Sequence, residues 1–343
     1  MFHITQRSGS LTKSPDHHKI TWGDGVKAVW VAPTPHFIFG KLACWVAAAN
    51  VECVRLPGYW IDQDPSLPAG TPWRPGDKVA YRLHGGAYIQ LSAHPRDPSA
   101  NIAKGILKHS PSITRTFGVE YRLSTTDPYE ETNPFPTALV DALAGYLYLL
   151  AIGFHPEDIV LVGDSAGANL ALALVRYLLE HRAAHPSLPE PPTSMLLLSP
   201  WADLGTSHWG PHSSIRTHYS TDYLGGRAPR RMNYSKAAFL GPFGFAVAER
   251  CPYISPASLH PGVNARFTGG WPRTLICGGG QEPLLDSILS LRWKMERDMG
   301  VGGPTGVEYF QAPDALHDWL LFPWHQPEVD QTLVRISKWL VEY

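Results

Sequence analysis

The stretch Gly163-Asp164-Ser165-Ala166-Gly167 constrains this chain more than any other. Before it runs Ile159-Val160-Leu161-Val162, a short apolar run with three β-branched members, which suits a buried strand. After it, residues 168–182 carry Leu170, Val175, Leu178 and Leu179 at helical spacing. A serine between two glycines, at the turn from a strand into a helix, has the arrangement of a nucleophile elbow. Such a turn forces the serine into strained backbone angles, and the glycines let strand and helix pass closely. The hydroxyl then stands at a helix N-terminus, where the N–H of Ala166 can face a developing oxyanion. The five-residue pattern also recurs by chance in ordinary glycine turns, and it is the strand and helix flanks that select the functional reading.

Composition supports a large buried core. Of 343 residues, 44% are hydrophobic and only 17% charged, against roughly 25% charged in average proteins. The 29 basic and 30 acidic residues leave a net charge of −1, which implies no basic face for nucleic acid or anionic membrane. The four cysteines, Cys44, Cys53, Cys251 and Cys277, form no C-x-x-C pair and are too few for a disulfide scaffold. With a polar first thirty residues, the chain is expected to be cytoplasmic with free thiols. The apolar residues 37–51 are interrupted by Lys41 and fall short of the roughly 20 needed to span a bilayer. They read as a buried or cap-forming helix, and no stable membrane insertion is expected.

Residues 1–36 read as irregular. Strands are expected at residues 53–61, 78–83, 113–121, 159–162, 195–199, 274–277 and 306–310. Helices are expected near 99–108, from Pro136, over 168–182, over 283–299 and over 327–343. This alternation predicts an α/β fold with a mostly parallel sheet covered on both faces. The rhythm lapses between Asp203 and Cys251, too long a gap for an ordinary loop, so an inserted helical cap is expected there. The expected organisation is an N-terminal cap segment at 1–50, a catalytic core at 51–202 and 252–343, and an inserted cap segment at 203–251.

Acyl transfer by a serine needs a base, an acid to orient that base, and donors for the oxyanion. In folds built on this elbow the chain order is nucleophile, acid, base. Glu282 follows the 274–277 strand directly and is the first candidate acid; Asp286, inside the next helix, is the second. His317, on the loop after the last strand, is the candidate base, since imidazole exchanges protons near neutral pH. Leu83-His84-Gly85-Gly86-Ala87-Tyr88 follows an earlier strand, and its paired glycines let backbone N–H groups approach a substrate oxygen. Gly85, Gly86 and Ala166 are the expected oxyanion donors, with His84 bracing the loop.

These pieces resemble the hormone-sensitive-lipase-like (fold-3) branch of the α/β hydrolases, with the look of a fungal esterase or lipase. The resemblance rests on His84–Tyr88, Tyr121-Arg122-Leu123, Asn133-Pro134-Phe135-Pro136 with Ala138 and Asp141, the elbow, Ser199-Pro200-Trp201, Glu282-Pro283-Leu284-Leu285-Asp286 and His317. They lie in family order over residues 78–320. Glu282 departs from the pattern, which has aspartate more often. The resemblance implies an α/β-hydrolase core with a helical cap and a Ser165–His317–Glu282 serine esterase acting on small to medium acyl groups, without a cofactor. Two alternatives stay open. One is a thioesterase or an acyl-transferring, lactone-forming enzyme of secondary metabolism, for which the partner would be a small acyl ester or thioester or an acyl carrier protein. The other is a catalytically silent receptor, as the plant gibberellin receptors resemble this family but lack the base.

Three further features are weighed. His208, His212 and His218 invite a metal reading, but no helix fixes them and no acid accompanies them in the sequence, so no metal site is expected. The cluster Arg227-Ala228-Pro229-Arg230-Arg231 suits an anionic tail such as a carrier arm or a solvated loop. Trp201, with Tyr234, Phe239 and Phe243, is expected to line a wide hydrophobic pocket.

Overall fold

The apolar runs become strands whose side chains alternate between two cores. In β3 (Val79–Leu83), Val79, Tyr81 and Leu83 enter one core and Ala80 the other. β5 (Ile159–Asp164) and β6 (Ser194–Leu198) divide in the same way. This is the period-two signature of a sheet buried on both faces. The computed structural model describes residues 15–225 and 228–342. β1 (Lys27–Val31), β2 (Leu56–Asp62), β4 (Arg115–Val119), β7 (Arg273–Gly279) and β8 (Val307–Ala312) complete one sheet, in the order β1-β2-β4-β3-β5-β6-β7-β8. The strands from β4 to β8 run parallel; β1 and β2 pair antiparallel at one edge.

β1 corrects the expectation that residues 1–36 are irregular. Its pattern KAVWV is short, and only its register against β2 reveals it. α1 (Gly40–Ala48) occupies the apolar 37–51 stretch. Among the described residues no helix is long and apolar enough to cross a membrane. The four cysteines are unpaired.

α2 (Ala100–His109) and α9 (Glu328–Val341) cover one face, where Ile102 and Ile106 meet Val329, Leu333, Ile336 and Leu340. The other face carries α3 (Thr137–Ala151), α4 (Ala166–His181) and α8 (Leu285–Met299). Between β6 and β7 lie α5 (Ser214–Thr217), α6 (Ala228–Leu240) and α7 (Phe245–Ala248), and no strand forms among the described residues of this stretch. The side chains of the 227–231 arginine cluster lie outside the described residues.

Aromatic packing joins α1, α6 and the core. Trp45 lies 5.0 Å from both Phe135 and Tyr253. Phe135 meets Phe239 and Phe243 edge-on, and its N–H donates to the Phe239 carbonyl at 2.6 Å. Nearby, the Arg122 guanidinium grips both oxygens of Asp141 at 2.9 and 2.7 Å and donates to the Glu52 carbonyl at 2.8 Å. One buried ion pair thus links the end of β4, the first turns of α3 and the approach to β2.

Removing one partner of such a pair strands the other charge. Asp141→Ala should lower the unfolding free energy by about 3–5 kcal/mol in a denaturant titration. A loss below about 1 kcal/mol, the range of exposed pairs, would contradict this role.

Candidate active site

Ser165 stands where β5 turns into α4, with φ 50° and ψ −115°. The flanking glycines are required by close approach. A Cβ on Gly163 would lie 2.4 Å from the Gly167 carbonyl oxygen, and one on Gly167 would lie 2.0 Å from that of Leu83. Both distances are far inside contact, so no other residue fits and the strained serine is held from both sides.

Because β3, β5, β6, β7 and β8 are parallel, the loops that follow them meet at one edge of the sheet. The loop after β8 brings His317 Nε2 to 2.9 Å from Ser165 Oγ. The loop after β7 brings Glu282 Oε2 to 2.7 Å from His317 Nδ1. Glu282 is fully buried, and its Oε1 accepts from the Gly279 N–H at 2.6 Å and from Ser199 Oγ at 2.9 Å. A carboxylate so fixed holds Nδ1–H as donor and turns the Nε2 lone pair to the serine hydroxyl. The extra methylene of glutamate is accommodated. Asp286, the second candidate acid, is occupied elsewhere: it accepts the Ser214 N–H at 2.8 Å and ties α5 to α8.

Burial works to lower the pKa of His317, but the Asp318 and Glu282 carboxylates outweigh it and hold the imidazole well above its ordinary range. His84, by contrast, is pushed down to about 3 by burial and by Arg82. Neutral and stacked on Tyr121 at 4.2 Å, it donates from Nδ1 to the Gly85 carbonyl. That is the expected bracing geometry.

The oxyanion loop requires a correction. The Gly85 N–H donates to Asp164 Oδ2 at 2.7 Å and is therefore spent. The N–H groups of Gly86 and Ala87 make no hydrogen bond among the described residues, and Ala166 opens α4, where its N–H has no intrahelical partner. Gly86 and Ala87 have φ of 103° and 56°, so the chain turns its amides outward here. The adjacent glycines in the sequence do not reveal which amide Asp164 will take.

Other residues at the site were not visible in the sequence. Asp222, from the inserted stretch, accepts the backbone N–H of His317 at 2.6 Å. Ser199 bridges Glu282 and the Asp318 N–H. Asn169 accepts from Tyr88 and donates to the Trp201 and Ile254 carbonyls, locking three loops together. Only the Ser199-Pro200-Trp201 motif hinted at any of these.

His208 does have an acid partner. Its Nδ1 lies 2.7 Å from Asp203 Oδ2, and its Nε2 lies 2.8 Å from Ser290 Oγ. Among the described residues no group of three or more His, Cys, Asp or Glu stands close enough to hold a metal. Of the four aromatics expected to line a hydrophobic pocket, Phe239 and Phe243 make ring contacts with core residues. Phe239 lies parallel on Tyr88 at 3.9 Å, and with Phe243 it is used in packing onto Phe135. A cavity of about 440 Å³ opens beside Glu52, Arg122, Glu131, Thr137 and Pro242, and Ser165 is not among the residues that line it.

A family described as alpha/beta hydrolase fold matches residues 80–321. The chain belongs to that family. Esterase LipU of Mycobacterium tuberculosis is 29% identical over 260 residues, 76% of each protein. An esterase of Acinetobacter venetianus is 33% identical over 264 residues, 76% of this chain and 74% of its own. A solved esterase of the bacterial hormone-sensitive lipase family superposes with a TM-score of 0.61 at 25% identity, covering 94% of this chain and 86% of its own. This places the fold in the hormone-sensitive-lipase-like branch. All three are bacterial, which gives the expected fungal affinity no support.

The two candidate acids separate cleanly in a mutational test. Glu282→Gln should lower kcat by about 10³–10⁴ with the fold intact, because the imidazole loses its charged orienting partner. Asp286→Asn should cost far less. The reverse ranking would overturn the assignment.

Proposed function

We propose that Ser165, His317 and Glu282 serve as nucleophile, base and orienting acid, with Gly86, Ala87 and Ala166 as the oxyanion donors. The protein is a carboxylic ester hydrolase of the serine type. Ser165 Oγ attacks the ester carbonyl while His317 Nε2 takes the hydroxyl proton. The developing oxyanion is stabilised by backbone amides that are already oriented, so no reorganisation is needed as charge forms. The imidazolium, held by Glu282, returns its proton to the departing alcohol. Water, deprotonated by the same nitrogen, then attacks the acyl-enzyme and frees the acid. The observation that carries this reading is the unbroken line from Glu282 Oε2 to His317 to Ser165 Oγ, ending on a strained elbow.

The α1 part of residues 1–50 and residues 203–251 act as the cap over this site, while β1, within the first stretch, belongs to the sheet. The Asp222 contact with His317 and the Trp45–Phe135–Phe239 packing support this division. A thioester or an acyl carrier protein would meet the same three groups. The side chains of the arginine cluster that suggested a carrier arm lie outside the described residues. A free ester is the substrate class proposed, supported by the esterases among the relatives. A silent receptor would have no use for an activated serine.

Ser165→Ala should reduce turnover of p-nitrophenyl butyrate by about 10⁶ and abolish labelling by a fluorophosphonate probe. A folded variant that keeps most of its activity would overturn the mechanism.

Acyl preference follows from the packing. Each methylene buried near the site favours binding by about 0.8 kcal/mol. A chain that outgrows the available room must displace packed side chains, at a cost in strain. Over p-nitrophenyl esters from acetyl to dodecanoyl, kcat/KM should therefore peak at a short or medium chain and then decline. A steady rise through dodecanoyl would contradict that limit.

A further inference from the structure

His317 meets a second carboxylate at the nitrogen that faces the serine. Asp318 Oδ2 lies 3.2 Å from Nε2, on the same side as Ser165 Oγ at 2.9 Å. This contact is built into the backbone. Asp318 has φ 48° and ψ 39°, a left-handed conformation, and its N–H donates to Ser199 Oγ at 3.1 Å. The carboxylate is buried, and its Oδ1 makes no hydrogen bond among the described residues.

A lone pair on Nε2 and a carboxylate oxygen at that distance repel each other, and a proton on Nε2 relieves the repulsion. With Glu282 holding Nδ1–H, the natural place for that proton is Nε2, where it points to Ser165 Oγ with the Asp318 carboxylate beside it as counter-charge. The base form of His317 then appears only after this proton leaves for solvent.

We propose that Asp318 is a positioning residue of the reaction: its carboxylate stands as a counter-charge beside Nε2 of His317 and so sets the pH at which the Ser165–His317 pair becomes reactive. The inference rests on Ser165 and His317 acting as nucleophile and base. Once the serine proton has moved to Nε2, the same carboxylate steadies the imidazolium of the tetrahedral intermediate.

The remaining groups around the ring are accounted for. Glu282 faces Nδ1, Asp222 accepts the His317 backbone N–H, and the Tyr223 ring lies 6.1 Å away on the inserted stretch. Asp164, on the elbow, is raised to about 8 by burial and by Asp318 itself, and burial also raises Glu282 and Asp222. Of the groups around the ring, Asp318 is the carboxylate that touches Nε2.

The test is the pH profile of kcat/KM on p-nitrophenyl butyrate for the wild type, Asp318→Asn and Asp318→Gly. Asparagine and glycine both accept left-handed backbone angles, so both variants keep the local turn. The wild-type acid limb should lie above the 6.5 of free imidazole. An opposite charge within a few ångströms moves a pKa by about 1–3 units, so each variant should shift the limb down by about that much. Loss of the counter-charge makes the imidazole less basic, so the plateau should fall by a smaller factor. The profiles then cross: each variant retains more of its own plateau than the wild type at low pH. Thermal melting checks the fold of both variants, and fluorophosphonate labelling checks the wild type. If the wild type is labelled at Ser165 but both variants keep its acid limb, the Asp318 inference fails alone. If the wild type is not labelled at Ser165, the nucleophile reading fails and takes this inference with it.

Discussion

The close passage of β5, α4 and the end of β3 around Ser165 is the constraint on which the rest of the site depends. A side chain on Gly167 would strike the Leu83 carbonyl, and one on Gly163 would strike that of Gly167. The strand-to-helix turn is therefore tight enough to hold a serine at φ 50°. Strain of this kind persists only where the surroundings over-determine it. Here they do so through the sheet, since the Ser165 N–H donates to the Leu198 carbonyl of β6 and its own carbonyl accepts from Trp201. Ser165 is thus fixed by backbone alone, independently of its contacts with His317.

A second set of three side chains shows why that matters. Asp203, His208 and Ser290 stand in the same order with distances of 2.7 and 2.8 Å, as close as those of the active-site line. Ser290, however, sits within α8, where successive N–H groups are used in the helix ladder and none is free to receive an oxyanion. A hydrogen-bonded serine–histidine–carboxylate line is not sufficient. The elbow sets free amides beside the serine hydroxyl, which the helix cannot do.

Much of this was legible in the sequence, because strand ends in a parallel sheet are also where loops carry chemistry. Ser165, Glu282 and His317 each follow a readable strand, so their meeting follows from topology. Contacts chosen by side-chain competition were not legible. Whether Gly85 offers its amide to a substrate depends on Asp164, which the motif places next to the nucleophile without saying which way it turns. Asp222 reaches His317 from the inserted stretch, whose sequence lacks a regular period. Phe239 and Phe243 read as pocket lining by composition alone, and only the tertiary structure shows their contacts with Tyr88 and Phe135. β1 was missed because a five-residue strand at a sheet edge carries too little pattern to rise above its surroundings.

A crystal structure of the protein inhibited by a p-nitrophenyl phosphonate ester tests the central claim most directly, since the phosphonyl group mimics the tetrahedral intermediate. Phosphorus should be bonded to Ser165 Oγ, with its unesterified oxygen about 3 Å from the N–H groups of Gly86, Ala87 and Ala166. The Gly85 N–H should remain on Asp164. A phosphonyl group on any other residue, or an oxygen turned away from those three amides, would contradict the account.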